Sequence, residues 1–191
     1  MASEGKAHSA ILDRVDPVRW ACLQVPPVSA TPPDHEPPFV RAWHQRQPGQ
    51  LIGPGHPAGD FLDAPRWSVL EERPGLLRVR AILPDRVKNP RGQLFGGFTP
   101  TYVDLVALLT VRTEKTEEAG RFRTWLATTN MRVDYFDPVT SSEFLIESRL
   151  VKRRKRTILV ETRFFDPDDT LAVFALTTMR EIEFDRRLGD A

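Results

Sequence analysis

The chain has 191 residues, a formal net charge of +1 and a single cysteine, Cys22. That length suits one domain with an appendage, and the near-neutral balance gives no global electrostatic case for nucleic acid or a membrane as partner. No disulfide can close within the chain, no charged-then-apolar leader opens it and no apolar run spans a bilayer, which together predict a protein of the reducing cytoplasm.

Proline divides the sequence. Eleven of the 17 prolines fall in residues 1–65, among them Pro26-Pro27, Pro32-Pro33 and Pro37-Pro38. Such a stretch cannot run as a long helix or a central strand. It is predicted to form an N-terminal arm with at most a short helix near Ser9–Asp16 and with Trp20, Phe39, Trp43 and Phe61 as candidate anchors. Residues 66–185 are expected to form the folded domain, and 186–191 a tail. Within that domain Trp67–Arg73 and Leu76–Leu83 read as two strands joined at the turn pair Pro74-Gly75. Val103–Val111 is apolar nearly all round, so a helix here must be buried on most sides. Thr99 is the candidate N-cap, with Pro100 opening the helix. Period-two alternation then marks Thr124–Phe136, Phe144–Val151, Thr157–Phe165 and Leu171–Glu183 as strands. Their short connections predict a four-strand antiparallel meander. The order β-β-α-β-β-β-β points to an α+β protein of the hotdog fold, in which a curved antiparallel sheet wraps around one central helix.

Chemistry concentrates where that helix begins, in the stretch Asn89-Pro-Arg-Gly-Gln-Leu-Phe-Gly-Gly-Phe-Thr-Pro-Thr-Tyr-Val-Asp104. Two glycines before a helix let the backbone approach a ligand closely. Their N–H groups, with the positive helix end, can hold an oxyanion formed from a bound carbonyl. The alternative is that Gly96-Gly97 only lets the loop turn. Asp104 is a carboxylate among Val103, Leu105, Val106 and Ala107, a costly placement unless it is hydrogen-bonded or faces a cavity. It can be a structural acid bound to backbone amides. It can instead be a general base for water, or a nucleophile that forms an anhydride.

This stretch resembles the signature of the PaaI-like (phenylacetate-pathway) hotdog thioesterases. In that family an Asn precedes a His-Gly-Gly by six residues and an Asp follows the His by nine. Asn89 and Asp104 keep both spacings, and Phe95 stands at the place of the His. The resemblance runs over about residues 67–183, continuing through Thr128–Tyr135. It implies hydrolysis of an acyl-coenzyme A, with Asp104 as catalyst, Asn89 and the Gly96-Gly97 amides at the thioester carbonyl, and Thr128 placing the water. It also implies a homodimer, or a tetramer, whose site faces the Gly96-Gly97 loop of one subunit toward Asp104 of the other.

All four histidines, His8, His35, His44 and His56, lie in the arm. A histidine–carboxylate dyad of the hydratase kind is therefore not expected from the folded domain, nor is a metal site or a cofactor. Lys152-Arg-Arg-Lys-Arg156 is a basic run at a turn between strands. It is either a solvated hairpin that discourages edge pairing or a contact for coenzyme A phosphates through Arg153, Arg154 or Arg156. Lys88 and Arg91 are rival phosphate partners, and Phe95 borders the substrate. Cys22 has no basic neighbour to activate it. A second function class stays open: a hotdog protein that binds an acyl-CoA or a hydrophobic acid without hydrolysing it.

Overall fold

In the computed structural model, residues 41–42, 45–114 and 124–183 are described. The expected helix near Ser9–Asp16, the anchors Trp20, Phe39 and Trp43, Cys22, and the histidines His8, His35 and His44 lie outside them. Two short strands open the sheet, β1 (Ser68–Arg73) and β2 (Leu76–Ile82). The turn between them needs positive φ at Gly75 (+74°), which glycine adopts without a Cβ penalty. After a helix come β3 (Thr124–Tyr135), β4 (Glu143–Arg154), β5 (Thr157–Phe165) and β6 (Leu171–Glu183).

All neighbouring strands pair antiparallel in the order β1-β2-β4-β5-β6-β3. The meander therefore comprises β4-β5-β6, while β3 lies on the outer side of β6 and β4 pairs with β2. Residues 136–142 carry the chain from β3 back to β4 across three strand spacings, roughly 14 Å, well inside the reach of an extended segment of that length. A short connection thus did not require adjacent strands.

The expectation of a curved sheet wrapped around the helix is corrected. The fold is α+β with a central helix and an antiparallel sheet, but the sheet is open, ending at the edges β1 and β3, and does not close around the helix. The helix, residues Thr99–Arg112, is buried nearly all round because other residues cover what the sheet leaves. Leu51, Ile52, Leu62 and Trp67, from the proline-rich segment and just after it, belong to the same core cluster as Tyr102, Val106 and Leu109. Trp67 stacks on Tyr102 with ring centroids 5.3 Å apart, while Phe144 and Phe164 from the sheet meet the Tyr102 ring at 5.5 and 6.2 Å. The Tyr102 hydroxyl donates to the Ile82 carbonyl (2.9 Å), which satisfies the polar end of a buried aromatic.

We number the short helix Pro57–Phe61 α1 and the central helix α2. In α1, His56 is the N-cap and Pro57 takes the first turn, where its missing N–H costs nothing. In α2, Thr99 is a buried helical residue and Phe98 occupies the cap position without a side-chain bond, so the cap lies one residue earlier than predicted.

Candidate active site

Helical spacing sets the first part of the site. Residues four apart share a helix face, so Asp104, Leu108 and Arg112 form one line along α2. They line a cavity of about 520 Å³, walled also by Trp125–Thr128 of β3 and by Ile52, His56 and Pro57. Within it the Thr128 hydroxyl donates to Asp104 Oδ1 at 2.5 Å. Asp104 is half-buried, so the carboxylate is hydrogen-bonded and open to the cavity at once.

A bulge aims Thr128 there. Thr128 pairs with Met179 and Asn130 with Thr178, which leaves Thr129 as the extra residue. Before the bulge, Leu126 and Thr128 face the helix; after it, Met131 and Val133 pack on the core. Strict alternation through Thr129, with no bulge, would instead continue the face as Asn130, Arg132 and Asp134. Thr129 turns away and its hydroxyl donates to the Thr178 carbonyl (3.1 Å).

Two cavity residues escaped the sequence reading. His56 lies in the proline-rich segment, yet the packing of that segment on α2 brings it to the same cavity as Asp104, correcting the expectation of a domain without histidine. Its Nδ1 accepts the Gly59 N–H (2.9 Å), which places the proton of the neutral ring on Nε2. Burial is the main cause that lowers its pKa, aided by the Arg112 charge and opposed by Asp60. Arg112 is only 8% exposed, and burial lowers its pKa to about 10. It reads in sequence as an ordinary cation at a helix C-terminus. The i, i+4, i+8 line from Asp104 was the one available signal.

The glycine loop belongs to a second cavity, of about 250 Å³, lined by Gly96, Thr99, Tyr135 and Asp137. The Tyr135 hydroxyl donates to the Gly96 carbonyl (2.9 Å). Among the described residues, no hydrogen bond takes up the N–H of Gly96 or Gly97. A Cβ at Gly97 would lie 2.7 Å from the Phe95 ring, so any other residue there would have to displace that exposed side chain. Phe95 itself is 51% exposed and meets Phe98 edge-on. Asn89 is committed to its own turn. Its Oδ1 accepts from the N–H groups of Arg91 (2.8 Å) and Gln93 (3.2 Å), and its Nδ2 donates to Gln93 Oε1 (3.1 Å).

Of the cations, Lys88 pairs with Asp85 (2.7 Å), and Arg153 bridges Glu114 (2.8 Å) and Glu181 (3.2 Å). Arg91, Arg154 and Arg156 are exposed. The structure thus joins Asp104 with Thr128 but sets Gly96-Gly97 and Asn89 elsewhere in the same chain. Among the described residues no group of three or more His, Cys, Asp or Glu is arranged to hold a metal, and no helix is long and apolar enough to cross a membrane.

Residues 91–173 match the family model of the Thioesterase superfamily. No curated protein matches the sequence. The fold is shared with solved thioesterase structures at low identity. One is a thioesterase of Haemophilus influenzae (12% identity, 68% of this chain and 85% of that one, TM-score 0.58). Another is a hypothetical thioesterase of Streptococcus pneumoniae with coenzyme A (16%, 62% and 87%, 0.54). A third is a Streptococcus mutans protein bound to acetyl-CoA (18%, 62% and 90%, 0.54).

Proposed function

We propose that the protein hydrolyses an acyl-coenzyme A thioester to the free acid and coenzyme A. The observation that carries this reading is the Asp104 carboxylate, bonded to Thr128 and open to a largely apolar cavity. Thr128 engages one carboxylate oxygen. The other can take a proton from water as that water attacks the thioester carbonyl, or attack the carbonyl itself. Both routes create an oxyanion, for which the Gly96 and Gly97 N–H groups at the start of α2 are the suited donors. Collapse of that intermediate expels the coenzyme A thiolate. The first route leaves the free acid and returns the Asp104 proton to the thiolate, while the second leaves an Asp104 anhydride that a water then hydrolyses to the acid. Streptococcal proteins of this fold solved with coenzyme A and with acetyl-CoA support the substrate class.

Because the two cavities are separate within one chain, the complete site is assigned to a homodimer, with the glycine loop supplied by the partner. Asn89 shapes the loop that leads to those glycines, and Phe95 borders the entrance. Arg154 and Arg156, with Arg91, are the exposed candidates for coenzyme A phosphates. Lys88 and Arg153, each with an acidic partner, are secondary ones. The PaaI-like assignment rests on the Asn89–Asp104 spacing, and a cytoplasmic location on the single cysteine.

Thiol release from a panel of acyl-CoAs tests the reaction. Asp104→Asn, which preserves shape, should lower kcat by about 10²- to 10⁴-fold if the carboxylate is a general base. Saturable acyl-CoA binding without Asp104-dependent turnover would instead identify a binding protein, the reading that Phe95 in place of the family histidine favours.

A further inference from the structure

The Asp104 cavity has a second charged end that hydrolysis alone does not use. Arg112 stands eight residues after Asp104 on the same face of α2, a rise of roughly 12 Å. Between them the cavity wall is apolar, with Leu105, Leu108 and Leu109 from the helix, Leu126 from β3 and Ile52 opposite. A nearly buried guanidinium is costly to keep dehydrated, and nothing in thioester cleavage at Asp104 needs a cation so far away. His56 lines the same cavity close enough to feel the Arg112 charge, and its bonded Nδ1 leaves Nε2–H as a donor.

We propose that the acyl group of the substrate ends in a carboxylate, seated on Arg112 and His56 at one end of the cavity while its thioester lies at Asp104. This rests on the reading that Asp104 marks the thioester end. Arg112 has a partner within the chain already. Its five N–H donors still allow a second acceptor in bidentate geometry. The spacing, less one hydrogen-bond distance at each end, leaves roughly 6 Å, and more where the long Arg112 side chain extends away from Asp104, which suits a thioester of a dicarboxylic acid of roughly six to eight carbons. Asp104 would repel a free carboxylate nearby, so the acid end is kept at the far side of the leucines, and only the thioester end of such a molecule can approach the catalytic carboxylate. Coenzyme A phosphates are the rival occupants of Arg112; they would make it matter equally for every acyl group.

The test compares octanoyl-CoA with its ω-carboxylated counterpart of the same chain length on the full chain. The ω-carboxylated substrate should show kcat/KM at least about tenfold higher, because its carboxylate gains charge-assisted hydrogen bonds from Arg112 and His56 that octanoyl-CoA cannot make. Arg112→Gln should reduce that ratio by about 10- to 100-fold, and Arg112→Lys should restore part of it. A wild-type ratio at or below one, or a folded Arg112→Gln protein with an unchanged ratio, would overturn the proposal. Equal losses on both substrates would assign Arg112 to the phosphates and overturn it as well. Should Arg112→Gln not fold, competition on the unaltered protein decides. The monoamide of the eight-carbon diacid, which offers a carboxylate to Arg112 and no charge to Asp104, should inhibit, or raise Tm, at concentrations at least about tenfold below octanamide. Octanoyl-CoA turnover with no diacid preference would sink this inference and leave the hydrolase reading standing. Diacid preference without turnover of any acyl-CoA would do the reverse.

Discussion

His56 shows how a single residue can evade a reading made along the chain. In sequence it stands 48 positions before Asp104, in a segment that proline marks as irregular. Its two local clues, a following Pro57 and Asp60 in the first turn of α1, identify a cap rather than a cavity wall. Asp104 stood out because a buried carboxylate demands a partner or a cavity, and Thr128 because the resemblance has it placing water; the hydrogen bond between the two was not foreseen. Arg112 was not, since a terminal helix arginine is ordinarily solvated. The lowered His56 pKa has a consequence for stability. The folded state favours the neutral ring, so the associated stability is present above the unfolded value near 6.5 and is lost as pH falls from there toward the folded pKa. Urea titrations at pH 7.5 and 5.5 should show a drop at the lower pH. His56→Asn, which keeps an acceptor for Gly59 N–H, should reduce that drop without large loss at pH 7.5. An undiminished drop in the variant would place the titrating group elsewhere.

At the scale of elements, periodicity located the strands but not their partners. Thr157–Phe165 and Leu171–Glu183 lie where alternation put them, because period two records which face is buried. It does not record which strand lies alongside, hence the mistaken pairing of β3. The all-round apolar helix was also read correctly as buried, and wrongly as enclosed by sheet. Leu51, Ile52 and Leu62 do part of that covering, from the proline-rich segment whose apolar residues were expected to anchor it on the folded domain. The bulge at Thr129 is what lets one face of β3 carry Leu126 and Thr128 and then Met131 and Val133. Thr129 is the extra residue, so deleting it joins Thr128↔Met179 and Asn130↔Thr178 into a regular ladder that keeps each side chain on its face. Deleting Ala127, outside the bulge, instead forces Leu126 or Thr128 to the other face. Denaturant melts should show a loss of more than about 2 kcal/mol for the Ala127 deletion, the range of core disruption, and clearly less for the Thr129 deletion. Thr129→Ala, which keeps the extra residue, should lose about 1 kcal/mol or less. Similar effects of the two deletions would mean that Thr129 is not what sets the two faces.

For the whole molecule, the open edge at β3 bears on where the reaction takes place. The strand is long, one side pairs with β6, and no described residue pairs with the other. Trp125 is 43% exposed and Tyr135 53% exposed toward its two ends. Long edges with exposed aromatics favour association, and a twofold partner pairs β3 with its own copy antiparallel. Such pairing centred near Asn130 sets residues 125–128 of one subunit against the Tyr135 end of the other. The Asp104 cavity is lined by Trp125–Thr128 and the Gly96 cavity by Tyr135, so the twofold would bring each cavity to its partner's complement. Within one chain Asp104 lies five residues into α2, a rise of roughly 7–8 Å beyond the loop that holds Gly96 and Gly97, and lines a different cavity from Gly96. A complementation experiment tests the homodimer proposed above. Asp104→Asn removes the carboxylate, and Gly97→Val places a branched side chain where even a Cβ meets the Phe95 ring at 2.7 Å. Each homodimer should lose most activity. Random exchange at equal amounts makes half the dimers mixed, each with one intact site, so activity should recover to about a quarter of wild type. With folding and exchange verified by circular dichroism and by pull-down of a tagged subunit, a mixture no more active than its parents would confine the reaction to groups of a single chain.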